Sequence, residues 1–351
     1  MRMTFERADP RTLQAAHRAA INDLLVQRVV AVPGRQETRL PRSIDEISFP
    51  DDSLVLLAWR SPAEVSAMLV GYWNPDNDPA LAIFEGKAPF AVPFAYFGPL
   101  PSLADTPDPL GVIRESFPRL DRVTVHVPVG DSMTATALGW LGFTLDSYLD
   151  IGFAGDARAS RPVTSHPYRL RPATPDDAEA IAGLHALHVR CQIGTSAFVA
   201  DSADPDFEAL PGELRSRIAD GAIFRVAIID GELAGVVEAA SYDIPADGKV
   251  RRVPSGRAGV IEWVATAPRY RRRGIGSALV AAALEELRVR RADYAYVCRG
   301  ANNRLSSPGF WRKFGFHPAW GTWEMAIVET RSGRITPGSA ADGRRIAAAG
   351  R

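Results

Sequence analysis

The sequence predicts an α/β chain of the α+β type, with mixed sheets arranged as two copies of one fold. Its 351 residues exceed what one hydrophobic core usually supports, so two domains are expected. In each half, a predicted strand hairpin precedes a helical segment that ends in a Gly-Phe pair and leads into another strand. Gly71 and Gly142 are 71 positions apart in the first half, and Gly235 and Gly315 are 80 positions apart in the second. This similar spacing indicates duplication.

The composition limits the class of protein. Hydrophobic residues make up 46% of the chain and charged residues 23%, with a formal net charge of zero, which is typical of a globular protein without a strongly basic surface. There is no apolar run of membrane-spanning length, and the N-terminal residues MRMTFERADP do not resemble a signal peptide. Cys191 and Cys298 are too few and too far apart for a disulfide framework or a zinc site. We therefore expect a cytoplasmic protein with no metal, membrane or nucleic-acid partner.

The first half begins with a predicted amphipathic helix in residues 10–30, followed by strands and a second helical segment. The apolar positions of the helix are Leu13, Ala16, Ala20, Leu24 and Val26. The predicted hairpin pairs residues 53–59 with 66–73, further strands cover 94–98, 123–127 and 147–153, and the helical segment with its Gly-Phe end covers 137–143.

The second half repeats this order after a polar, proline-bearing linker at 155–167. Thr174 is a predicted helix N-cap and Pro175 the first helical residue, because a hydroxyl acceptor, proline and following acids favour a helix start. The hairpin is predicted to pair 224–229 with 233–238. Residues 331–351 are rich in Gly, Ala, Arg and Ser, so we expect a disordered tail.

Residues 259–284 indicate a site for a phosphorylated cofactor. A predicted strand is followed by a proline, an arginine cluster, Gly274 and Gly276, and then an alanine- and leucine-rich helix. The unpaired amides at a helix N-terminus bind phosphate oxygens, and glycines let a diphosphate approach the backbone. Neither the dinucleotide pattern G-x-G-x-x-G nor the P-loop pattern G-x-x-x-x-G-K-[ST] is present. The alternative is a surface arginine cluster before an ordinary helix.

The R-x-x-G-x-G pattern at 271–276, after the strand 262–268, resembles the acyl-CoA-binding motif of the GCN5-related N-acetyltransferase (GNAT) superfamily. The segment FWRKFGF at 310–316 is similar to the second signature of that family, and residues 168–177 resemble its usual opening. The resemblance implies two tandem GNAT-like domains, in an arrangement similar to the mycothiol synthase type. The predicted units are a degenerate domain at 1–154 and a catalytic domain at 168–330.

The first copy is expected to lack the cofactor site. Where the second copy has its glycine loop, residues 98–107 read GPLPSLADTP. Proline has no amide hydrogen to offer a phosphate, and no paired glycines replace it. The alternative is that the first half is an unrelated α+β domain.

The resemblance implies transfer of an acyl group from acetyl-CoA, or a related acyl-CoA, to the amine of a small-molecule acceptor by direct attack. An alkylammonium is mostly protonated at neutral pH, so a base must remove a proton before attack. Glu262 lies on the strand before the glycine loop, where many members of the family carry such a glutamate. Its alternative role is a strand residue that faces solvent or pairs with an arginine.

The resemblance also implies which residues contact the cofactor. Backbone amides of Val264 and Thr266 are expected to bind the pantetheine and polarise the thioester carbonyl. Trp311 occupies a position where the family commonly has a tyrosine acid, and an indole cannot act as an acid near neutral pH. The full expected set is Val264, Ala265, Thr266, Arg271, Arg272, Arg273, Gly274, Ile275, Gly276, Ser277, Asn303 and Trp311.

Other polar residues have two possible roles each. His185 and His188 are three apart on a predicted helix, and packing or pocket lining is favoured over metal ligation because no further ligands accompany them. The acidic residues Asp201, Asp204, Asp206 and Glu208 are either a solvated loop or a surface that attracts a cationic amine.

The sequence is also compatible with two other functions. A non-catalytic CoA-binding or regulatory module is compatible with Trp311 in place of the acid, and some tandem GNAT-like enzymes use aminoacyl-tRNA as donor. The intact glycine loop and the zero net charge disfavour the tRNA reading. The chain is expected to be a monomer or a homodimer.

Overall fold

The structure is a computed structural model, and it describes twelve segments of the chain. These are residues 4–9, 12–31, 40–47, 53–61, 63–73, 89–97, 108–116, 122–153, 168–192, 207–301, 308–329 and 335–337.

The strands form one mixed sheet that runs through both halves of the chain. Its order is β1-β2-β3-β4-β5-β12-β6-β11-β10-β9-β8-β7, and β13 pairs with β12. The strands are β1 Phe5–Ala8, β2 Leu54–Ser61, β3 Glu64–Trp73, β4 Pro89–Phe97, β5 Arg122–Pro128, β6 Thr144–Phe153, β7 Arg169–Pro172, β8 Ile223–Ile229, β9 Glu232–Ile244, β10 Gly256–Thr266, β11 Tyr294–Gly300, β12 His317–Glu329 and β13 Ile335–Pro337.

The sheet order confirms the predicted duplication. Strands β1 to β5 on one side correspond to β7 to β11 on the other, and in each set the last two strands are parallel while the others are antiparallel. The two central strands are exchanged between the halves. Strand β12 of the second half pairs with β5 of the first, and β6 of the first half pairs with β11 of the second. The domain boundaries at 154 and 168 stay a prediction.

Helices cover both faces of the sheet. They are α1 Ala15–Ala31, α2 Leu110–Ser116, α3 Ser132–Trp140, α4 Ala178–Gln192, α5 Leu210–Ala219, α6 Ile275–Val289 and α7 Pro308–Arg312. Helices α1, α4 and α5 pack on one face, which we call face A, whereas α2, α3, α6 and α7 pack on the opposite face, face B. Alternation along β3 illustrates the division, because Met68 joins the core under α1 and Leu69 joins the core under α2 and α3.

The first predicted helix forms, but its buried face differs from the predicted one. Leu24 is buried as expected, and Leu25 is completely buried, whereas Val26 is 49% exposed. The apolar pattern alone does not determine which side of α1 faces the core. Packing against β2 and β3 fixes the rotation of the helix about its axis. The hairpins β2–β3 and β8–β9 have the predicted antiparallel pairing.

The second half begins as the sequence predicts. Thr174 caps a short 3₁₀ turn, Pro175–Asp177, that leads into α4, and the Asp177 carboxylate accepts from the Thr174 backbone amide at 2.7 Å. Arg171 on β7 donates two hydrogen bonds to the same carboxylate. These bonds lower the pKa of Asp177 to about 2, with Arg171 as the largest cause. The linker at 155–167 lies outside the described residues, as does most of the predicted tail, whose residues 335–337 form β13.

A long connection between β9 and β10 joins the two halves on face A. Val250 donates its amide to the Glu46 carbonyl at 2.8 Å, and Lys249 Nζ donates to the Asp45 carbonyl at 2.7 Å. The Val250 side chain is 3% exposed and belongs to the core under α1. The connection is therefore held against the first half at residues 249–250.

A buried ion pair lies at the splayed ends of β4 and β5 in the first half. The Arg28 guanidinium from α1 contacts the Asp131 carboxylate, and both side chains are at most 2% exposed. Asp131 also caps α3, accepting from the Thr134 amide at 2.9 Å and from its hydroxyl at 2.8 Å. Thr134 Oγ1 in turn accepts from the Phe97 amide at 3.3 Å. Burial lowers the pKa of Arg28 to about 10.

This ion pair predicts a large effect of removing Asp131. Asp131→Ala leaves the Arg28 charge buried without its partner and removes the cap of α3, so we expect the free energy of unfolding to fall by about 3–5 kcal/mol. Urea denaturation monitored by circular dichroism measures the change. Glu64→Ala is the matched control, because Glu64 pairs with Arg60 on the surface and exposed pairs contribute only about 0–1 kcal/mol. Equal losses in the two variants contradict the interpretation.

Candidate active site

The central feature of the second half is a β-bulge at Glu262. Ile261 pairs with Ala239 of β9 and Trp263 pairs with Glu238, so Glu262 is the additional residue on β10. The parallel ladder between β10 and β11 ends at the same point, with Ile261 opposite Val297, although both strands continue within residues 207–301. A bulge bends its strand and increases the local twist. It therefore marks where the two parallel strands separate.

Beyond Ile261, the edge of β10 that faces β11 has no strand partner among the described residues. Ala267, directly after β10, donates its amide to the Ala234 carbonyl of β9 at 2.9 Å. Because successive residues of a strand point their amides to opposite sides, the amides of Val264 and Thr266 point away from β9 and into the gap. The Thr266 carbonyl points to the same side as the Thr266 amide, and on that side it accepts a hydrogen bond from Arg271 Nε at 3.3 Å. The gap has the donors that an extended amide chain requires.

The glycine loop leads directly into α6. Gly274 is the N-cap and has a left-handed conformation with φ of 80°, followed by helical Ile275, and Arg272 also has a positive φ of 64°. A left-handed residue before a helical one turns successive amides toward a common concavity that binds anions. Ile275 is buried and anchors the first turn in the core under α6. A Cβ at Gly276 would lie 3.6 Å from Thr266 Oγ1, which places this glycine beside the open end of β10.

Cations surround this loop. Arg271, Arg272 and Arg273 are all exposed, and none forms an ion pair with a carboxylate of the described residues. Arg273 lies over the Tyr270 ring at 5.5 Å, and the Tyr270 hydroxyl donates to Glu232 at 2.9 Å. The positive charge at the N-terminus of α6 is therefore available to an anion.

The sequence analysis missed Lys313 as part of this site. Its Nζ donates to Ser277 Oγ at 2.5 Å, in the first turn of α6, and lies over the Phe310 ring at 4.5 Å. Desolvation by these neighbours lowers the pKa of Lys313. Lys313 belongs to the FWRKFGF segment, and only the packing of α7 against α6 brings it to Ser277.

Trp311 and Asn303 differ from the other expected cofactor contacts. Trp311 is 4% exposed and packs edge-to-face against Phe310 and Phe316 in the core of face B. Its ring supports α7 from inside, and its expected contact with the cofactor stays a prediction. Asn303 lies outside the described residues, as do Asp201, Asp204 and Asp206.

The Glu262 carboxyl occupies an electrostatically distinct position. The residue keeps solvent contact, yet the surrounding protein desolvates the carboxyl and raises its pKa, while the Arg217 charge acts in the opposite direction. Burial and the Glu262 charge together raise the pKa of Tyr242 to about 12. A carboxyl with a raised pKa can accept a proton more readily than an ordinary glutamate, as a general base requires.

Beside the bulge lies a buried polar cluster. Glu238 is 3% exposed, accepts from the Trp263 indole at 2.6 Å and pairs with Arg217 of α5. His185 packs edge-to-face on Trp263 at 4.6 Å, and His188 lies 5.9 Å from the same ring. Burial lowers the pKa of both histidines to about 4, so both are neutral at physiological pH. Both pack on Trp263, the residue that follows the bulge.

The structure gives no support to a metal site at these histidines. No group of three or more histidine, cysteine or carboxylate side chains with metal-binding geometry occurs within the described segments. In the same part of the chain, no helix is long and apolar enough to span a membrane.

The corresponding region of the first half is filled by side chains. The ladder between β4 and β5 ends at Val92 and Val125, so these strands also separate. However, the Phe97 amide at the end of β4 is bonded to Thr134, next to the buried Arg28–Asp131 pair. The proline-rich segment 98–107 lies outside the described residues. The first half lacks an open gap at Phe97.

Sequence and structure comparisons agree with this geometry. Residues 190–316 match the family model described as acetyltransferase (GNAT) family, a segment that extends from the end of α4 to the end of the FWRKFGF signature. No curated protein sequence matches this chain.

Three solved structures illustrate the structural similarity. A GCN5-related N-acetyltransferase from Sphaerobacter thermophilus is 14% identical, with a TM-score of 0.52, and the match covers 92% of this chain and 95% of that one. A tandem GNAT protein from the clavulanic acid biosynthesis pathway is 15% identical, with a TM-score of 0.45 and coverage of 93% and 99%. A predicted acetyltransferase from Clostridium acetobutylicum, solved with acetyl-CoA, is 17% identical, with a TM-score of 0.35 and coverage of 43% and 91%.

The Sphaerobacter match shows that the fold of nearly the whole chain is shared with a GNAT protein. The bulge and the glycine loop lie within the residues that the family model matches. Residues 190–316 of this chain are therefore similar to the GNAT acetyltransferase family in sequence, and nearly the whole chain is similar to a GNAT protein in fold.

Proposed function

We propose that this protein is an acyl-CoA-dependent N-acetyltransferase that transfers an acyl group from acetyl-CoA, or a related acyl-CoA, to the amine of a small molecule by direct attack. The observation that carries the proposal is the bulge at Glu262, which opens β10 from β11 directly beside the glycine loop at the start of α6. The gap and the loop together match the two chemical parts of CoA, an amide-bearing arm and a diphosphate. The family match of residues 190–316 supports this assignment.

The amides of Gly274 to Gly276 would hold the diphosphate of CoA, and the arginines and Lys313 would neutralise its charge. The amides of Val264 and Thr266 would bind the pantetheine arm along the separated part of β10.

Glu262 is the proposed general base. The acceptor ammonium gives a proton to the Glu262 carboxylate, directly or through water, and the neutral amine attacks the thioester carbonyl. A C–N bond forms as the C–S bond breaks, and the CoA thiolate leaves and takes up the second proton that the amine nitrogen loses, directly or through solvent. A thiolate is a tolerable leaving group, because its conjugate acid has a pKa near 8.5. The buried indole of Trp311 is not required to act as an acid.

The alternatives from the sequence are separable by experiment. A non-catalytic CoA-binding module binds acetyl-CoA without turnover of any amine, whereas an aminoacyl-tRNA-dependent transferase binds tRNA at low salt and has no affinity for CoA. The exposed arginines and the left-handed Gly274 at the helix N-terminus favour a diphosphate-bearing donor. The identity of the acceptor and the resemblance to the mycothiol synthase type stay predictions.

Because the glycine loop is the proposed diphosphate site, we expect two aspartates placed in it to abolish acetyl-CoA binding. In a Gly274→Asp, Gly276→Asp variant, the new side chains obstruct the loop and repel the diphosphate, and aspartate is strained at the positive φ of Gly274. We expect calorimetric titration to show binding in the wild type and none in the variant. The control is Gly111→Asp, Gly139→Asp, which adds the same charge at helical glycines with open space around them. Absence of binding in the wild type contradicts the proposal.

The role of Glu262 predicts a specific kinetic defect. Glu262→Gln keeps the shape and removes the base, so we expect kcat to fall by about 100-fold or more, while acetyl-CoA affinity is unchanged. In the wild type, kcat should fall as the pH is lowered through the raised pKa of Glu262, because the protonated carboxyl cannot accept a proton. The variant should lack this acid limb.

Release of the CoA thiol, measured with small-amine acceptors across pH, provides the readout. Glu285→Gln is the matched control, since Glu285 pairs with Arg288 on the exposed surface of α6. A Glu262→Gln enzyme with wild-type kcat and an unchanged pH profile excludes Glu262 as the base.

A further inference from the structure

Arg252 lies on face A, at the seam between the two halves. It belongs to the long connection between β9 and β10, which Val250 and Lys249 fasten to the first half. Its side chain is half-buried, and Nη1 donates to Nδ1 of His126 on β5 at 3.2 Å. A residue of the second half is thus held in place by a residue of the first.

This contact fixes the state of His126. An arginine can only donate, so His126 Nδ1 must be the unprotonated nitrogen, and the ring is neutral with its proton on Nε2. Burial and the Arg252 charge both lower the pKa of His126 well below its ordinary value. His126 therefore orients Arg252 without neutralising it.

The positive charge of Arg252 has no counterion in the described part of the chain. Its hydrogen bond to His126 uses one of five donors, and no described carboxylate pairs with it. Other partly buried arginines differ, because Arg299 pairs with Asp150 at 2.6 Å and Arg225 pairs with Glu286 at 2.5 Å. Its neighbour Arg251 pairs with Asp247 at 2.7 Å. Arg252 alone of these four arginines keeps its charge available to an anion.

A row of polar side chains crosses face A next to Arg252. The register pairs His126 of β5 with Thr322 of β12, and Thr322 with Ser147 of β6, so the three occupy neighbouring positions on one face. His126 Nδ1 and Thr322 Oγ1 are 3.1 Å apart. Ser147 is 1% exposed, and its hydroxyl has no hydrogen-bond partner among the described residues. The row therefore extends the polar surroundings of Arg252 across three strands.

Arg252 and Glu262 border the same patch of surface. Cys298 of β11 directly follows Val297, which pairs with Ile261 just before Glu262, and Cys298 pairs with Leu149, two residues along β6 from Ser147. The charges of both Arg252 and Glu262 act on the Cys298 thiol and on the Tyr242 hydroxyl. Cys298 and Tyr242 are both exposed. The patch therefore has a carboxylate at one end and an unpaired guanidinium at the other.

We propose that the acceptor is an amine that also carries a carboxylate, which binds Arg252 while the amine reaches Glu262. This inference rests on the proposed acetyltransferase function and specifies its acceptor class. The guanidinium fork matches a carboxylate in bidentate geometry. The first half contributes His126, whose ring orients Arg252, so the copy without an open cofactor gap takes part in the acceptor site.

The test compares acceptors of equal chain length with and without the acid group. The probes are 4-aminobutyrate and 6-aminohexanoate against butylamine and hexylamine, with aminoalkyl phosphates as a third series. Release of the CoA thiol is measured with the full-length protein. We expect kcat/KM for the amino acids to exceed that for the alkylamines by about 10-fold or more, which corresponds to about 1.4 kcal/mol.

The variant Arg252→Gln should lose this preference, with kcat/KM for the amino acids reduced to the alkylamine level and that for the alkylamines unchanged. Arg252→Lys retains the charge without the fork and should recover part of the preference. Arg251→Gln is the matched control on the same connection and should behave as the wild type. Unchanged acetyl-CoA binding in calorimetry verifies that each variant is folded.

Equal rates for acids and alkylamines in the wild type overturn the inference, as does an identical effect of Arg252→Gln and Arg251→Gln. A preference for aminoalkyl phosphates overturns the assignment of a carboxylate. Failure of the proposed function gives a different result, with no acetyl-CoA binding and no thiol release from any probe. In that case, calorimetry with 6-aminohexanoate alone decides the inference, because its binding must be lost in Arg252→Gln and kept in Arg251→Gln.

Discussion

The structure depends on the exchange of the two central strands. Strand β12 of the second half bonds to β5 of the first, and β6 of the first half bonds to β11 of the second, so the backbone ladders at the centre of the sheet cross between the halves. Neither half can leave the other without exposing unpaired strand edges. The exchange also fixes the register between the halves, and with it the neighbours of every side chain on face A.

Within this sheet, the bulge residue Glu262 lies where strands β10 and β11 separate. The additional residue at Glu262 shifts the β9–β10 register at the point where β10 and β11 separate, and it places a carboxyl of raised pKa at the mouth of the gap. A regular strand would keep its amides bonded to β11 and leave none for a ligand. The two halves differ at the corresponding position, because Thr134 bonds the Phe97 amide and the Arg28–Asp131 pair fills the region. One fold thus yields one open gap and one closed core.

The first half also holds part of the second half in place on face A. The β9–β10 connection is bonded to residues 45 and 46, and Arg252 is bonded to His126. Buried polar groups of both halves therefore meet on face A, where the exchanged strands carry Ser147 and Thr322. Arg252 pairs with no carboxylate of the described residues, which favours a role in binding over a role in stability.

The sequence by itself determined the local elements and the chemistry of the loop. Hydrophobic patterns and glycine positions predicted the hairpins, the strand before Gly274 and helix α6, because these signals depend on neighbours within a few residues. Only the tertiary structure decided the exchange of β6 and β12, the burial of Trp311, and the approach of Lys313 to Ser277 and of Arg252 to His126. The last two contacts join residues 36 and 126 positions apart, and no local pattern encodes such pairings, since the register of the whole sheet sets them.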